Sequence, residues 1–227
     1  MSPVRFGAIG ILYGVLGMAT LHAGDFSVYR GFQFGMNLAA AAKQAGMKPS
    51  EAKSLHQRPA LIQELEWQPR SPSTPDSQKA DPVKDGLLYF VNGELFRVVV
   101  TYDRYRVEGM TAEDMIAAIS ATYGPAAKPT AEIAYHSYYG DSAAVLARWE
   151  DSEYSYNLVR TGDRSSFALV LYSKRLDALA QAAMLEAVRL DALDAPQREI
   201  DKQKKQEDDD SLVLEKARSA NKPNFRP

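Results

Sequence analysis

Histidine is the side chain best suited to proton transfer near neutral pH, and this chain of 227 residues has three: His22, His56 and His136. His56 and His136 are the two that lie beyond the N-terminal apolar segment, and neither sits in a supporting motif. There is no His-Glu-x-x-His for zinc, no Gly-x-Ser-x-Gly elbow, no phosphate-binding glycine loop and no EF-hand spacing. Gly140-Asp141-Ser142 follows His136 closely, which places His, Asp and Ser within one short stretch. A triad is normally assembled from distant chain segments, so this run is read as unlike one. Carboxylates offer a second chemistry. Glu64 and Glu66 share one face of a strand, and Glu150, Asp151 and Glu153 gather around a turn. Two such groups across a cleft could hydrolyse a glycoside, but a solvated face of half-buried strands accounts for them more simply. Asp208-Asp209-Asp210 could attract a divalent cation loosely and lacks the ligand pattern of a caged site. The expectation is therefore no catalytic residue, no metal site and no cofactor.

Tyrosine is the residue type that clusters. Tyr135, Tyr138 and Tyr139 fall in Tyr-His-Ser-Tyr-Tyr-Gly-Asp, with His136 among them, in what reads as a loop. Tyrosine gives flat contact area with a polar tip, so Tyr135, His136, Tyr138 and Tyr139 are the candidate binding residues. Tyr154 and Tyr156 alternate with Ser155 and Asn157 and are expected to pack in the core.

The elements that must position these residues fall into two similar runs. Gly35-Met36 and Gly109-Met110 each precede a good N-cap, Asn37 or Thr111, then a short Ala-rich helix closed by Gly46 or Gly124. Asp114 three residues after Thr111 makes a capping-box variant. After each helix a strand-like stretch carries a tryptophan, Trp67 within Leu61 to Gln68 and Trp149 within Ala143 to Glu150. Two more strands follow in each run: Leu87–Val91 and Leu95–Tyr102 joined by Asn92-Gly93, then one through Tyr154–Leu158 and one at Phe167–Tyr172 after Gly162-Asp163. The stretch Ser71–Ala80 reads as a loop. A tandem helix-plus-three-strand repeat, residues 34–104 and 108–175, is one reading; chance recurrence of short amphipathic units is the other. A short helix capped by Ser50 is expected between Pro49 and His56. A long helix begins near Leu176, with an apolar stripe through Ala180, Ala183, Ala187 and Leu190, and is expected to stop at Pro196. Arg198–Asp210 holds six acidic and four basic residues and reads as a solvated helix or a disordered tail. The domain plan is thus 1–23 processed, 24–195 an α+β domain and 196–227 a charged tail. The fold class is α+β, an antiparallel sheet with helices on one face and a long C-terminal helix.

Hydrophobic residues make up 45% and charged residues 25%, the balance of a globular protein. A net charge of -2 gives no basic field for nucleic acid. The absence of cysteine excludes disulfides, thiolate metal sites and cysteine nucleophiles. Residues 1–23 place Arg5 ahead of an uncharged run from Phe6 to Leu21, ending in His22-Ala23, the pattern of a secretory signal peptide cut near Gly24. The alternative is a retained membrane anchor, although this run is shorter than the roughly 20 residues a span needs.

The run from Phe34-Gly35-Met36 to Gly46, with the strands bearing Trp67 and the Asn92-Gly93 hairpin, resembles small exported bacterial α+β modules. These include outer-membrane assembly lipoproteins of the SmpA/OmlA type and the tandem-repeat fold of β-lactamase inhibitory protein. The chain departs from the former in having no cysteine to acylate and from the latter in lacking disulfides. The resemblance implies binding without catalysis and transfers no functional residue. The function expected is an exported, non-catalytic binding protein of the bacterial envelope, in the periplasm or secreted, with an envelope or secreted protein as partner. The alternatives are an exported hydrolase using clustered carboxylates or His136, and a protein anchored by its N-terminus.

Overall fold

The structure is a computed structural model, and it describes residues 24–69, 81–127, 134–136, 142–161, 166–224 and 226. The N-terminal apolar segment, Ser71–Ala80, Gly162-Asp163 and residues Tyr138 and Tyr139 lie outside the described residues.

A small hairpin comes first, β1 (Val28–Tyr29) and β2 (Phe32–Gln33), turned at Arg30-Gly31. Both turn residues have positive φ, 50° and 83°, and the same angles recur at Asn92-Gly93. Such turns match the right-handed twist of the strands they join. Helix α1 (Leu38–Ala45) follows, with the Asn37 side chain accepting from the Ala40 N–H and Gly46 closing it in the left-handed region. Pro49–Glu51 then makes a single 3-10 turn, held by Glu51 accepting from the Lys48 N–H, and the chain leaves it as β3 (Lys53–His56). The helix expected between Pro49 and His56 is thus only one turn long, because its second half pairs with β4 as an edge strand.

Strands β4 (Ile62–Trp67), β5 (Val83–Val91) and β6 (Glu94–Tyr102) complete the first half. The second half is α2 (Ala112–Tyr123), β7 (Ala134–His136), β8 (Ser142–Glu150), β9 (Tyr154–Thr161) and β10 (Ser166–Ser173). All neighbouring strands are antiparallel, in the order β3-β4-β5-β6-β10-β9-β8-β7. The α+β class read from the sequence is what the structure shows. Each helix is followed by four strands rather than three, and the two sets run outward from the central β6–β10 pair in mirrored order. The additional strands, β3 and β7, are the two short ones at the sheet edges.

One face of the sheet is covered by the small hairpin, α1 and α2. Here Trp67 meets Phe32 edge-on at 5.0 Å, and Trp149 donates to the Gly124 carbonyl at 3.0 Å and the Ser120 hydroxyl at 3.2 Å. The two tryptophans therefore do corresponding work, each tying a covering element to its half-sheet. Gly86 lies opposite Trp67 because a Cβ there would come within 2.7 Å of the indole. The other face carries α3 (Lys174–Asn221), seated by Leu176 and Ala180 on Ile62, Tyr89, Val91 and Phe96. Helices thus lie on both faces, with the two short ones opposite the long one. A bulge where Tyr89 pairs Arg97 and Phe90 pairs Leu95 turns both Phe96 and Arg97 towards α3.

Helix α3 does not stop at Pro196. Proline removes one backbone donor and crowds the carbonyl four residues back. Just there the Arg198 guanidinium reaches back to the Asp191 carbonyl oxygen at 2.6 Å and its carboxylate at 3.2 Å. The Arg198 side chain thereby ties the turn after the proline to the turn before it, and the helix continues to Asn221, with a 3-10 turn over Lys222–Asn224.

Candidate functional site

The candidate binding residues divide. Tyr135 and His136 lie on β7, in register with Ala143 and Ser142, so the expected loop is a strand at this point. The stretch lacks the alternation that marks a half-buried strand, and pairing with β8 alone gives it that form. β7 ends the sheet order, and among the described residues no strand pairs with its outer edge. An unpaired edge is a template for a further strand.

Among the clustered carboxylates, Asp151 and Glu150 have local roles. Asp151 accepts from the N–H groups of Glu153 and Tyr154, both at 2.7 Å, and so shapes the β8–β9 turn. Glu150 pairs with Lys174 at 2.9 Å, and the same ammonium donates to the Asp151 carbonyl at 2.6 Å, which fastens the start of α3. The solvated-face reading fits Glu66, which is exposed. It is corrected for Glu64, which is buried at the centre of β4 opposite Tyr89. Glu51, Lys53 and Glu66 meet in a shallow cleft of about 470 Å³ beside Gly46 and Met47, the outer surface of the first half. Among the described residues no group of three or more His, Asp or Glu side chains could hold a metal ion, and Asp208-Asp209-Asp210 is exposed on α3.

Two buried polar assemblies were not visible in the sequence. On the α3 face, Arg97 is 3% exposed and donates through Nε to Asp177 at 2.8 Å, with a second bond from Nη2. The guanidinium also lies over the rings of Phe96 and Tyr172, at 5.8 and 5.7 Å. Burial pushes the Asp177 carboxyl above its ordinary range, and Arg97 pulls against that. Nearby on the same face Arg148 donates to Asn157 at 2.8 Å, and Asn157 donates to Ser155 at 3.1 Å. On the opposite face, tyrosines gather behind the small hairpin. Tyr123 and Tyr156 meet edge-on at 4.9 Å, Tyr29 and Tyr156 at 6.5 Å, and Tyr156 donates to the Val28 carbonyl at 3.3 Å. Burial pushes the Tyr29 phenol up to about 12 and raises Tyr102, Tyr123 and Tyr156 as well. Neutral buried phenols with ring partners build a core, and Tyr156 joins it as the alternation in its strand predicts.

The surface that stands out lies on α3. Its first half packs, and every described residue from Ala195 onward is exposed. That outer half carries Ile200 at 57%, Leu212 at 70%, Val213 at 67% and Leu214 at 70% exposure. Pro196 reads in the sequence as a helix stop, which leaves this surface out of the expected fold, although the Leu-Val-Leu run is plain in the sequence. Among the described residues, no helix is long and apolar enough to cross a membrane. Comparison with family models, curated proteins and solved structures finds no match to this chain.

Proposed function

We propose that this chain is an exported, non-catalytic binding protein of the bacterial envelope that makes its contacts through the outer half of α3. The observation that carries the reading is the row of apolar side chains, Ile200 and Leu212 to Leu214, held in solvent on a helix beyond the body. Single exposed apolar residues are ordinary, whereas a consecutive group on a projecting element is the form of an interaction site. Export rests on the cation-then-apolar pattern of residues 1–23. Tyr135, His136, Tyr138 and Tyr139, of which the first two belong to the edge strand β7, are the candidate residues for a second contact with a partner.

Two measurements test this. Mass spectrometry of the natural protein is expected to find a chain starting near Gly24, and a retained Met1 in the cytosol would refute export. Capture of partners from envelope extract is expected to fall at least about tenfold for the L212E/V213E/L214E chain while its melting temperature stays unchanged. Equal recovery by the two chains would refute the assigned surface. The Y138A/Y139A chain asks the same question of the tyrosine stretch.

A further inference from the structure

Gly24, the first described residue, is held against the end of α2. A Cβ built on it would stand 2.8 Å from the Thr122 carbonyl oxygen and 2.8 Å from Cδ1 of Tyr123, so this backbone leaves no room for a side chain. The residues after it fix it there. Asp25 accepts from the Ser27 N–H at 2.8 Å and from its hydroxyl at 2.6 Å. Phe26 stacks on Tyr123 at 5.6 Å and meets Tyr156 edge-on at 5.1 Å.

The end of α2 lacks what the end of α1 has. In α1 the Gly46 N–H donates to the Lys43 carbonyl at 3.1 Å, the Met47 N–H donates to the Ala42 carbonyl at 2.8 Å, and Lys43 puts a cation in the last turn. α2 has no basic residue in its last turn, and the Gly124 N–H reaches back to the Ser120 carbonyl at 2.9 Å. Pro125 has no N–H to give, and the Ala127 N–H goes to the Arg148 carbonyl at 2.8 Å. Among the described residues no N–H is bonded to the Thr122 carbonyl. The last carbonyls of a helix carry partial negative charge and favour a cation.

We infer that the chain is cut between Ala23 and Gly24, and that the amino group so created is the cation that closes α2. The inference rests on the export reading and narrows its processing to one peptide bond. Hydrolysis of that bond consumes one water: Ala23 leaves as a carboxylate, and Gly24 gains an α-ammonium. The nitrogen is one bond from the Cα whose Cβ would touch the Thr122 oxygen, so the freed chain end can turn a donor to that carbonyl. The charges that act on the surrounding tyrosines are the carboxylates of Asp25, Asp151 and Glu153 and the cations Arg30 and Arg175. Burial keeps the phenols of Tyr123, Tyr154 and Tyr156 neutral. Three carboxylates against two cations leave this end of the body suited to one more positive group.

Mass spectrometry of the natural protein is expected to find Gly24 first, with a free amino group. A retained Met1 would overturn the inference together with export. A cut at any other bond, leaving His22 or Asp25 first for example, would overturn the inference and leave export standing. In the natural chain labelled with 15N-glycine, the Gly24 amine is expected to titrate above the ordinary range of about 7.7–8.0. Acetylation near pH 6.5 selects this amine, since lysine stays protonated there. The acetylated chain is expected to have a folding constant about two- to fivefold lower at pH 6. A group whose value is raised on folding contributes stability below its unfolded value and loses it above the folded one. The gap between the free and acetylated chains is therefore expected to close as pH rises through the amine's own titration. An amine that titrates at or below about 8, or an acetylated chain of equal stability at pH 6, would overturn the role of the ammonium while leaving export intact.

Discussion

The two halves of α3 share a backbone and differ in what surrounds it. Between Leu176 and Ala187 an apolar stripe sits on the sheet, Asp177 meets Arg97, and Lys174 meets Glu150. At the end of this half Arg58 reaches from the segment before β4 to Asp194. Beyond Ala195 no described residue is buried, and support is local: Gln197 donates to Asp201 at 2.9 Å, and Arg218 to Glu215 at 3.0 Å. Most helical stability in proteins comes from packing, and contacts spaced three or four residues apart add only about 0.2–0.5 kcal/mol each. A helix this long with half of it unpacked is therefore built for something other than the body's core. The apolar residues in its outer half are the ones that call for a partner.

That contrast can be broken from the packed side first. Arg97→Met would leave Asp177 with its carboxylate buried and its partner gone, which is expected to cost about 3–5 kcal/mol. Thermal or denaturant unfolding would measure it, and R97M/D177L is expected to recover much of the loss. Leu176→Ala, at a site 3% exposed, is expected to cost about 2–4 kcal/mol. A loss below about 1 kcal/mol at either position would mean that α3 is not anchored as described.

The body and the outer helix should also part with pH. Tyr29 is held neutral up to about 12. In the unfolded chain it ionises near 10. A phenol whose value is raised on folding contributes stability that is whole below the unfolded value and is lost as pH climbs towards the folded one. Tyr102, Tyr123 and Tyr156 are shifted the same way. Body stability is therefore expected to decline as pH rises from 10 to 12, with phenolate absorbance appearing together with unfolding. Tyr156→Phe is expected to flatten that decline. Absorbance that rises fully before any loss of structure would contradict the buried cluster.

The smallest effect belongs to the outer half. Leu212→Ala, at 70% exposure, is expected to change the unfolding free energy of the body by less than about 0.5 kcal/mol. The same substitution is expected to weaken partner capture. A change above 1 kcal/mol in body stability would show that this segment packs after all.

What could be read from the sequence was what is written locally. Asn37 and Gly46, and Thr111 with Asp114, mark their helix ends as capping chemistry requires, and Asn92-Gly93 makes the turn it signals. Trp67 and Trp149 were legible as a matched pair because each sits on an alternating strand. The small hairpin was not, since its turn places Arg30 at φ 50°, a conformation that a bulky side chain seldom takes. Its Tyr29 is a long way in sequence from the Tyr156 it touches. The edge strands β3 and β7 are too short to show a period. Arg97 looked like any polar residue in a strand, because the bulge that aims it and the Asp177 that receives it belong to the fold. Of the candidate binding residues, Tyr135 and His136 have their strand set by pairing with β8, which no local pattern announces.

Hydrogen exchange along α3 in a dilute, monomeric chain tests the central contrast most directly. Amides from Leu176 to Leu190 are expected to exchange only with unfolding of the body, and those from Gln197 to Asn221 to exchange orders of magnitude faster, gaining protection when a partner binds. Uniform slow exchange from Lys174 to Asn221 in the dilute chain would mean that the outer half is already packed, and the account of it as a free contact arm would be wrong.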